Sequence, residues 1–123
     1  MILADTSVWV DHFRPGQAIL AAHLEAGHIA MHAYVLGEIA MGALHQRARI
    51  LSDLHDFTQA PIADHHEVLA LVETHKLFGS GIGYIDAHLL ASTLLAPGMR
   101  LWTHDKPLHA AAVRLGVAAA VSG

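Results

Sequence analysis

Ile2-Leu3-Ala4-Asp5-Thr6-Ser7-Val8-Trp9-Val10-Asp11-His12-Phe13 opens on three apolar residues, meets an acid, and runs on into a mostly apolar stretch that ends near Pro15-Gly16. A short buried strand over Ile2–Ala4 followed by a helix over Thr6–Phe13 satisfies this pattern, with Pro15-Gly16 as the stop. The unit recurs along the chain. Helices are expected at Ala18–Ala26, closed by Gly27 in C-cap position, and at Tyr34–Gln46, where Val35, Ile39 and Leu44 keep helical spacing. Further helices are expected at Ala48–Phe57, at Asp64–Phe78 with Asp64 as N-cap, at Tyr84–Leu95 before Pro97-Gly98, and at Lys106–Leu115 with Pro107 in its first turn. The strands between them are Ile29–Met31, a short one near Ala60-Pro61-Ile62 that Pro61 assigns to a sheet edge, Arg100–Thr103 and Val117–Val121. Gly79-Ser80-Gly81 is a loop.

Strands alternating with helices imply an α/β fold with a parallel sheet covered on both faces. In such folds the site lies beyond the carboxyl ends of the strands. Asp5 follows the first strand and Asp105 lies just past Arg100–Thr103, so the general rule singles out these two acids first.

The 123 residues make one domain, residues 1–123, large enough to bury about 65–70% of its unfolded surface. There is no cysteine, which excludes disulfides and thiolate metal sites and fits a reducing compartment. No apolar run approaches the ~20 residues that span a bilayer, and the opening residues lack the basic stretch of a secretory leader. A soluble, cytoplasmic protein is expected. Apolar residues make up 54% of the chain and charged ones 15%, an excess that implies an exposed apolar surface for a partner or a dimer. The formal net charge of −4 runs against the basic character of most nucleic-acid binders. Two features soften that conflict: four of the eleven acids are candidate metal ligands, and 12 histidines gain charge just below neutral pH.

Taken singly, the acids have ordinary explanations. Asp5 and Asp105 each precede a helix and would cap it, and Asp86 sits in a first turn, where the helix dipole favours a carboxylate. Glu38 is harder to dismiss, because Tyr34-Val35-Leu36-Gly37-Glu38-Ile39-Ala40-Met41 is otherwise almost entirely apolar. Taken together, four carboxylates converging on one point would need a cation, and an oxygen-only donor set favours Mg²⁺ or Mn²⁺. Such sites suit phosphodiester hydrolysis.

Asp5-Thr6-Ser7-Val8-Trp9-Val10-Asp11 resembles the opening motif of PIN-domain ribonucleases of the VapC toxin type. Val35-Leu36-Gly37-Glu38-Ile39-Ala40 resembles their second acidic motif. Gly81-Ile82-Gly83-Tyr84-Ile85-Asp86-Ala87-His88-Leu89-Leu90-Ala91-Ser92 resembles the third and is the most specific. Leu101-Trp102-Thr103-His104-Asp105-Lys106-Pro107-Leu108 resembles the last. The resemblance runs in family order from residue 1 to about 116 and implies a three-layer α/β/α sandwich with a parallel sheet of about five strands. It implies Mg²⁺- or Mn²⁺-dependent endonucleolytic cleavage of single-stranded or loop RNA, a VapB-like antitoxin partner and a toxin homodimer. By position, the resemblance makes Asp5 and Asp86 the firmest expected metal ligands. Glu38 would bind metal or orient a water, and Asp105 would hold a second metal or shape the pocket. The hydroxyls of Thr6, Ser7 and Thr103 would position water or phosphate. Two departures stand out. Gly83 occupies a place where a serine N-cap is frequent, and His104 stands where a basic residue is common, leaving Arg14, Lys106 and Arg100 as the nearest candidates for phosphate contact.

The histidines show no His-Glu-x-x-His and no repeated ligand spacing, so most are surface or capping residues. His88 and His104, near Asp86 and Asp105, are candidates for the pocket rim. A phosphatase of the haloacid-dehalogenase type would need an aspartate where Ser7 stands. A receiver-like phosphoacceptor would need an acid pair and a well-placed lysine. A binding module without catalysis is the alternative if the acids do not converge.

Overall fold

The structure, a computed structural model, describes residues 1–121. Three parallel strands, β1 (Ile2–Ala4), β2 (Ile29–Ala30) and β3 (Arg100–Trp102), lie in the order β2-β1-β3. The sheet is extended on both sides by single parallel bridges. Met31 pairs with Gln59 beyond β2, and Leu101 pairs with Ala118 beyond β3. Each bridge carries two ladder bonds: the amides of Met31 and Ala60 donate to Thr58 and Met31 at 2.8 and 2.7 Å, and those of Leu101 and Ala119 to Val117 and Leu101 at 2.7 and 2.8 Å. Among the described residues five extended segments therefore lie side by side, three as short strands and two as single bridges. The expected strand near Ala60-Pro61-Ile62 shrinks to the bridge at Gln59, because Pro61 has no N–H to continue a ladder. Val117–Val121 shrinks in the same way to the bridge at Ala118.

Among the described residues seven helices connect and cover the sheet: α1 (Thr6–Phe13), α2 (Ala21–Glu25), α3 (Ala33–Ala40), α4 (Arg47–His55), α5 (His65–Thr74), α6 (Tyr84–Leu95) and α7 (Lys106–Arg114). The class is α/β, as the alternation of patterns requires. Several helices are shorter than expected. α3 stops at Ala40 rather than Gln46, because Met41–Leu44 turns away from the helix and Gln46 takes a left-handed conformation (φ 52°) that restarts the chain as α4. α5 stops at Thr74 rather than Phe78. Lys76 is left-handed (φ 52°), and the amides of Leu77 and Lys76 close back on the carbonyls of Val72 and Glu73 at 2.9 and 3.3 Å. This is the paired closure that ends many helices, made here without glycine. Gly27 ends α2 as expected, at φ 70°, with the amides of His28 and Gly27 returning to His23 and Leu24.

The core is continuous between sheet and helices: Leu3, Ala4, Ile29, Ala30, Met31 and Leu101 from the sheet meet Val8, Trp9, Val35, Leu89, Leu90 and Leu108 from the helices. α6 is buried along Ala87–Thr93 on nearly every side, so its polar groups must find internal partners. Thr93 donates to the Leu89 carbonyl at 2.7 Å, and Ser92 pairs with His32 Nε2 at 2.9 Å. A smaller apolar cluster of Ala63, Val68, Ala87 and Ala91 holds α5 against α6. No helix among the described residues is long and apolar enough to cross a membrane.

Candidate active site

Adjacent parallel strands end together, so the residues that follow them are forced into proximity. The amide of Asp5 still belongs to the sheet, donating to Trp102 O at 3.0 Å. The Asp5 side chain turns back to cap α1, with Oδ1 accepting from the amide of Val8 at 3.3 Å and from Ser7 Oγ at 2.5 Å. From the neighbouring strand end, Thr103 Oγ1 donates to Asp5 Oδ2 at 2.5 Å. The same hydroxyls are also acceptors: Ser7 Oγ takes the His104 amide at 2.9 Å and Thr103 Oγ1 the Asp105 amide at 3.0 Å. Asp5 is thereby fixed by the ends of both strands and is almost fully buried. Burial pushes its pKa up, while the Ser7 and Thr103 hydroxyls and the Val8 amide pull it back down.

The other three acids arrive from separate elements. Asp105 caps α7, its Oδ2 accepting from the Leu108 amide at 3.0 Å. Asp86 sits in the first turn of α6 and reaches back to the Gly83 amide at 3.0 Å, the one half of a capping box that a glycine permits. Glu38 projects from α3, where Thr6 Oγ1 donates to its Oε1 at 2.7 Å and ties α1 to α3 across the opening. Asp5, Thr6, Ser7, Glu38, Asp86, Leu89 and Asp105 together line one cavity of about 180 Å³. The capping roles foreseen for Asp5 and Asp105 and the first-turn place of Asp86 are therefore real, and the same side chains line one cavity. Burial raises the pKa of Asp86 first. The Gly83 amide opposes this, and the negative charges of Asp105, Asp5 and Glu38 raise it further.

No hydrogen bond joins one of these acids to another, and among the described residues no three acid or imidazole groups close to ligating distance around a single point. The carboxylates line the wall of a cavity rather than forming a tight cage. Their chemistry suits a hard divalent cation that keeps part of its water shell: all donors are oxygen, no lysine or arginine lines the cavity, and the like charges already strain the Asp86 carboxylate. Asp5, Glu38, Asp86 and Asp105 could hold such an ion directly or through water.

The basic residues are arranged differently from the expectation. Arg100 begins β3, at the far end of the strand from Asp105, and donates to Gly116 O at 3.1 Å, so it is not part of this site. Arg14 stands 3.5 Å from Asp11 and lines a separate apolar groove that also reaches Thr6 and Glu38. Lys106 lines a cavity of about 280 Å³ on the β3 side with Thr103, His104 and His109. His104 is closed to phosphate, because its Nδ1 lies 2.5 Å from Asp11 Oδ2 and its Nε2 is buried, without a partner among the described residues. Asp11 was not singled out in the sequence; it stands two turns into α1 from Asp5, and only the return of β3 brings His104 to it. His88 is not at the rim either. It is buried, wedged edge-on between the rings of Tyr34 and Tyr84 at 4.9 and 4.7 Å, and burial, then the charge of His65, lowers its pKa.

Comparison with known proteins agrees with this architecture. The PIN domain family model matches residues 2–114. Ribonuclease VapC32 of Mycobacterium tuberculosis, from strains CDC 1551 / Oshkosh and ATCC 25618 / H37Rv alike, is 45% identical over 120 residues, covering 98% of this chain and 97% of the relative. The crystal structure of PAE2754 from Pyrobaculum aerophilum superposes with a TM-score of 0.59 at 19% identity over 94% of both chains, a likeness of fold. The chain belongs to the PIN-domain family and, within it, to the VapC type.

Proposed function

We propose that this chain is a metal-dependent endoribonuclease, the toxin of a VapBC-like toxin–antitoxin pair, and that Asp5, Glu38, Asp86 and Asp105 are its working acids. One observation carries the assignment: four carboxylates from four separate segments line a single cavity at the carboxyl edge of the sheet. Similarity to a ribonuclease over almost the whole chain supports it. A bound Mg²⁺ or Mn²⁺ would polarise the phosphoryl oxygens and lower the pKa of the attacking water. The chain's own residues set the rest. Ser7 and Thr103 hold Asp5 in one orientation, and Thr6 holds Glu38 by Oε1, leaving Oε2 to orient a water or accept its proton. In the reaction the water oxygen bonds to phosphorus and the P–O3′ bond breaks. The 3′-oxygen leaves as a hydroxyl and the 5′-phosphate stays on the downstream fragment. Incubating single-stranded RNA with Mg²⁺ or Mn²⁺ should give 5′-phosphate ends with the native chain and none with Asp5→Ala or Asp86→Ala. Recovery of a 2′,3′-cyclic phosphate, or cleavage undiminished in Asp5→Ala, would overturn the assignment. Labelling of an aspartate by a phosphate donor would favour a phosphoacceptor instead.

The antitoxin partner is supported by a groove of about 380 Å³ whose apolar walls include Val10, Phe13, Ile39 and Leu44 and which reaches Thr6 and Glu38. An amphipathic helix of a VapB-like protein laid there would cover the entrance to the acids. A homodimer is supported by the exposed Ile62, Leu69, Leu94 and Leu95 along α5, α6 and the segment before them. We propose a cytoplasmic location, where such an RNA substrate would be met.

A further inference from the structure

Five rings from α3, its N-cap, α5 and α6 interlock. Tyr34 at the start of α3 and Tyr84 at the start of α6 each stand perpendicular to the buried His88 ring, at interplanar angles of 82° and 88°. The Tyr84 hydroxyl is tethered to His65 Nδ1 at 2.6 Å, from the first residue of α5. His32, which caps α3, packs against Tyr34 with centroids 5.1 Å apart. Despite this anchoring, Tyr34 and Tyr84 remain 36% and 45% exposed. Rings fixed by their neighbours yet open to solvent lose little conformational freedom when something flat is laid on them.

Their position relative to the acids is the second observation. Tyr34 lies one turn before Glu38 on α3, so the two share a face. Tyr84 precedes Asp86 by two residues on α6, so the two point to nearly opposite sides of the helix, and Tyr84 connects to the Glu38 side only through His88 and Tyr34. The third observation is charge. The chain carries −4 overall, no lysine or arginine belongs to the ring cluster, and none lines the acid cavity. Backbone electrostatics alone would hold RNA weakly here. Stacking on aromatic faces supplies affinity that needs no positive charge.

We infer that Tyr34 and Tyr84, propped by His88 and His65, form a platform that stacks an unpaired base of single-stranded RNA on the Glu38 side of the acids. The platform rests on the ribonuclease assignment and adds to it a selection rule, since a base held in a duplex cannot lie on it. Both tyrosines are positioning residues.

The test is an abasic scan. A single-stranded RNA with one cleavage site is made in versions lacking one base at each position around that site, and KM and kcat are measured at several salt concentrations. With the native chain, one position should raise KM about tenfold when its base is missing. In Tyr34→Leu and Tyr84→Leu the intact RNA should show that higher KM, removing the base should add nothing, and the salt slope should not change. Tyr34→Phe and Tyr84→Phe should behave as native. Should the leucine variants fail to fold, 2-aminopurine at the scanned position should be quenched on binding the native chain, and a probe that stays bright overturns the platform. A base-removal penalty that persists in both leucine variants also overturns it while leaving the nuclease intact. So does a change confined to self-association, which would make the rings a contact between copies. If the native chain cuts no RNA at all, the nuclease assignment falls and the platform with it.

Discussion

Asp5 shows how a single residue serves fold and site together. Its carboxylate caps α1, receives two hydroxyls, and is almost excluded from water. Burial raises its pKa, and the hydroxyls keep the charged form accessible. Removing them should therefore move the acid limb of the cleavage rate to higher pH. Thr103→Val and Ser7→Ala are each expected to lower kcat about 10- to 100-fold near neutral pH and to recover part of the loss in alkaline buffer. A pH–rate profile that drops uniformly, with no shift, would mean that the hydroxyls act on geometry alone. Thr103 and Asp5 are separated by almost the whole chain. The type of each residue is legible in the sequence, but their 2.5 Å contact exists only because β1 and β3 are neighbours.

At the scale of elements, starts were easier to read from sequence than ends. Side chains that cap announce themselves: Asp5, Asp64 and Asp105 each accept a bond from an amide three residues on. The ends of α3 and α5 depended on backbone conformations that Gln46 and Lys76 do not advertise. Lys76 occupies a left-handed position that glycine takes without steric cost. Lys76→Gly should accordingly stabilise the protein by about 0.5–1 kcal/mol, and Gly27→Ala, at an equivalent helix end, should destabilise it by about 1 kcal/mol. Urea denaturation with unchanged m-values would check both, and a loss of stability in Lys76→Gly would show that its side chain contributes more than its backbone costs.

The whole molecule is built around unfavourable charge at its site. Asp86 is strained by burial and by three like charges, so its folded pKa lies above its unfolded one. Its stabilising share is present only when it is protonated and is lost as pH rises through the raised value. Asp86→Asn should thus melt about 2–4 °C higher than the native chain at pH 7 without divalent ions, while abolishing cleavage. Adding Mg²⁺ or Mn²⁺ should raise the native melting temperature and leave that of the variant nearly unchanged. Equal melting temperatures with and without the cation would argue against a metal at the four acids. His32 pulls in the opposite sense. Burial, then the charge of His88, lowers its pKa to about 4, and its Nδ1 accepts the Tyr34 amide, which assigns the proton to the Nε2 facing Ser92. The unfolded chain binds a second ring proton more readily, so the contribution of His32 is complete above pH 6.5 and is lost as pH falls toward 4, by about 3 kcal/mol at most. His32→Gln should flatten the decline over that window in thermal melts.

The sequence by itself determined the α/β class and the order of strands and helices, and it singled out the four acids as candidates, because periodicity and capping are local properties and because the motifs follow one another as in the VapC type. Only the tertiary structure decided that those acids share a cavity, that Arg100 lies at the wrong end of its strand, that Asp11 claims His104, and that the outer strands are single bridges. The reason is that these are facts of pairing between distant segments. Which strand lies beside which, and which side chains their common edge gathers, is set by the packing of the whole core and leaves little trace in any one stretch.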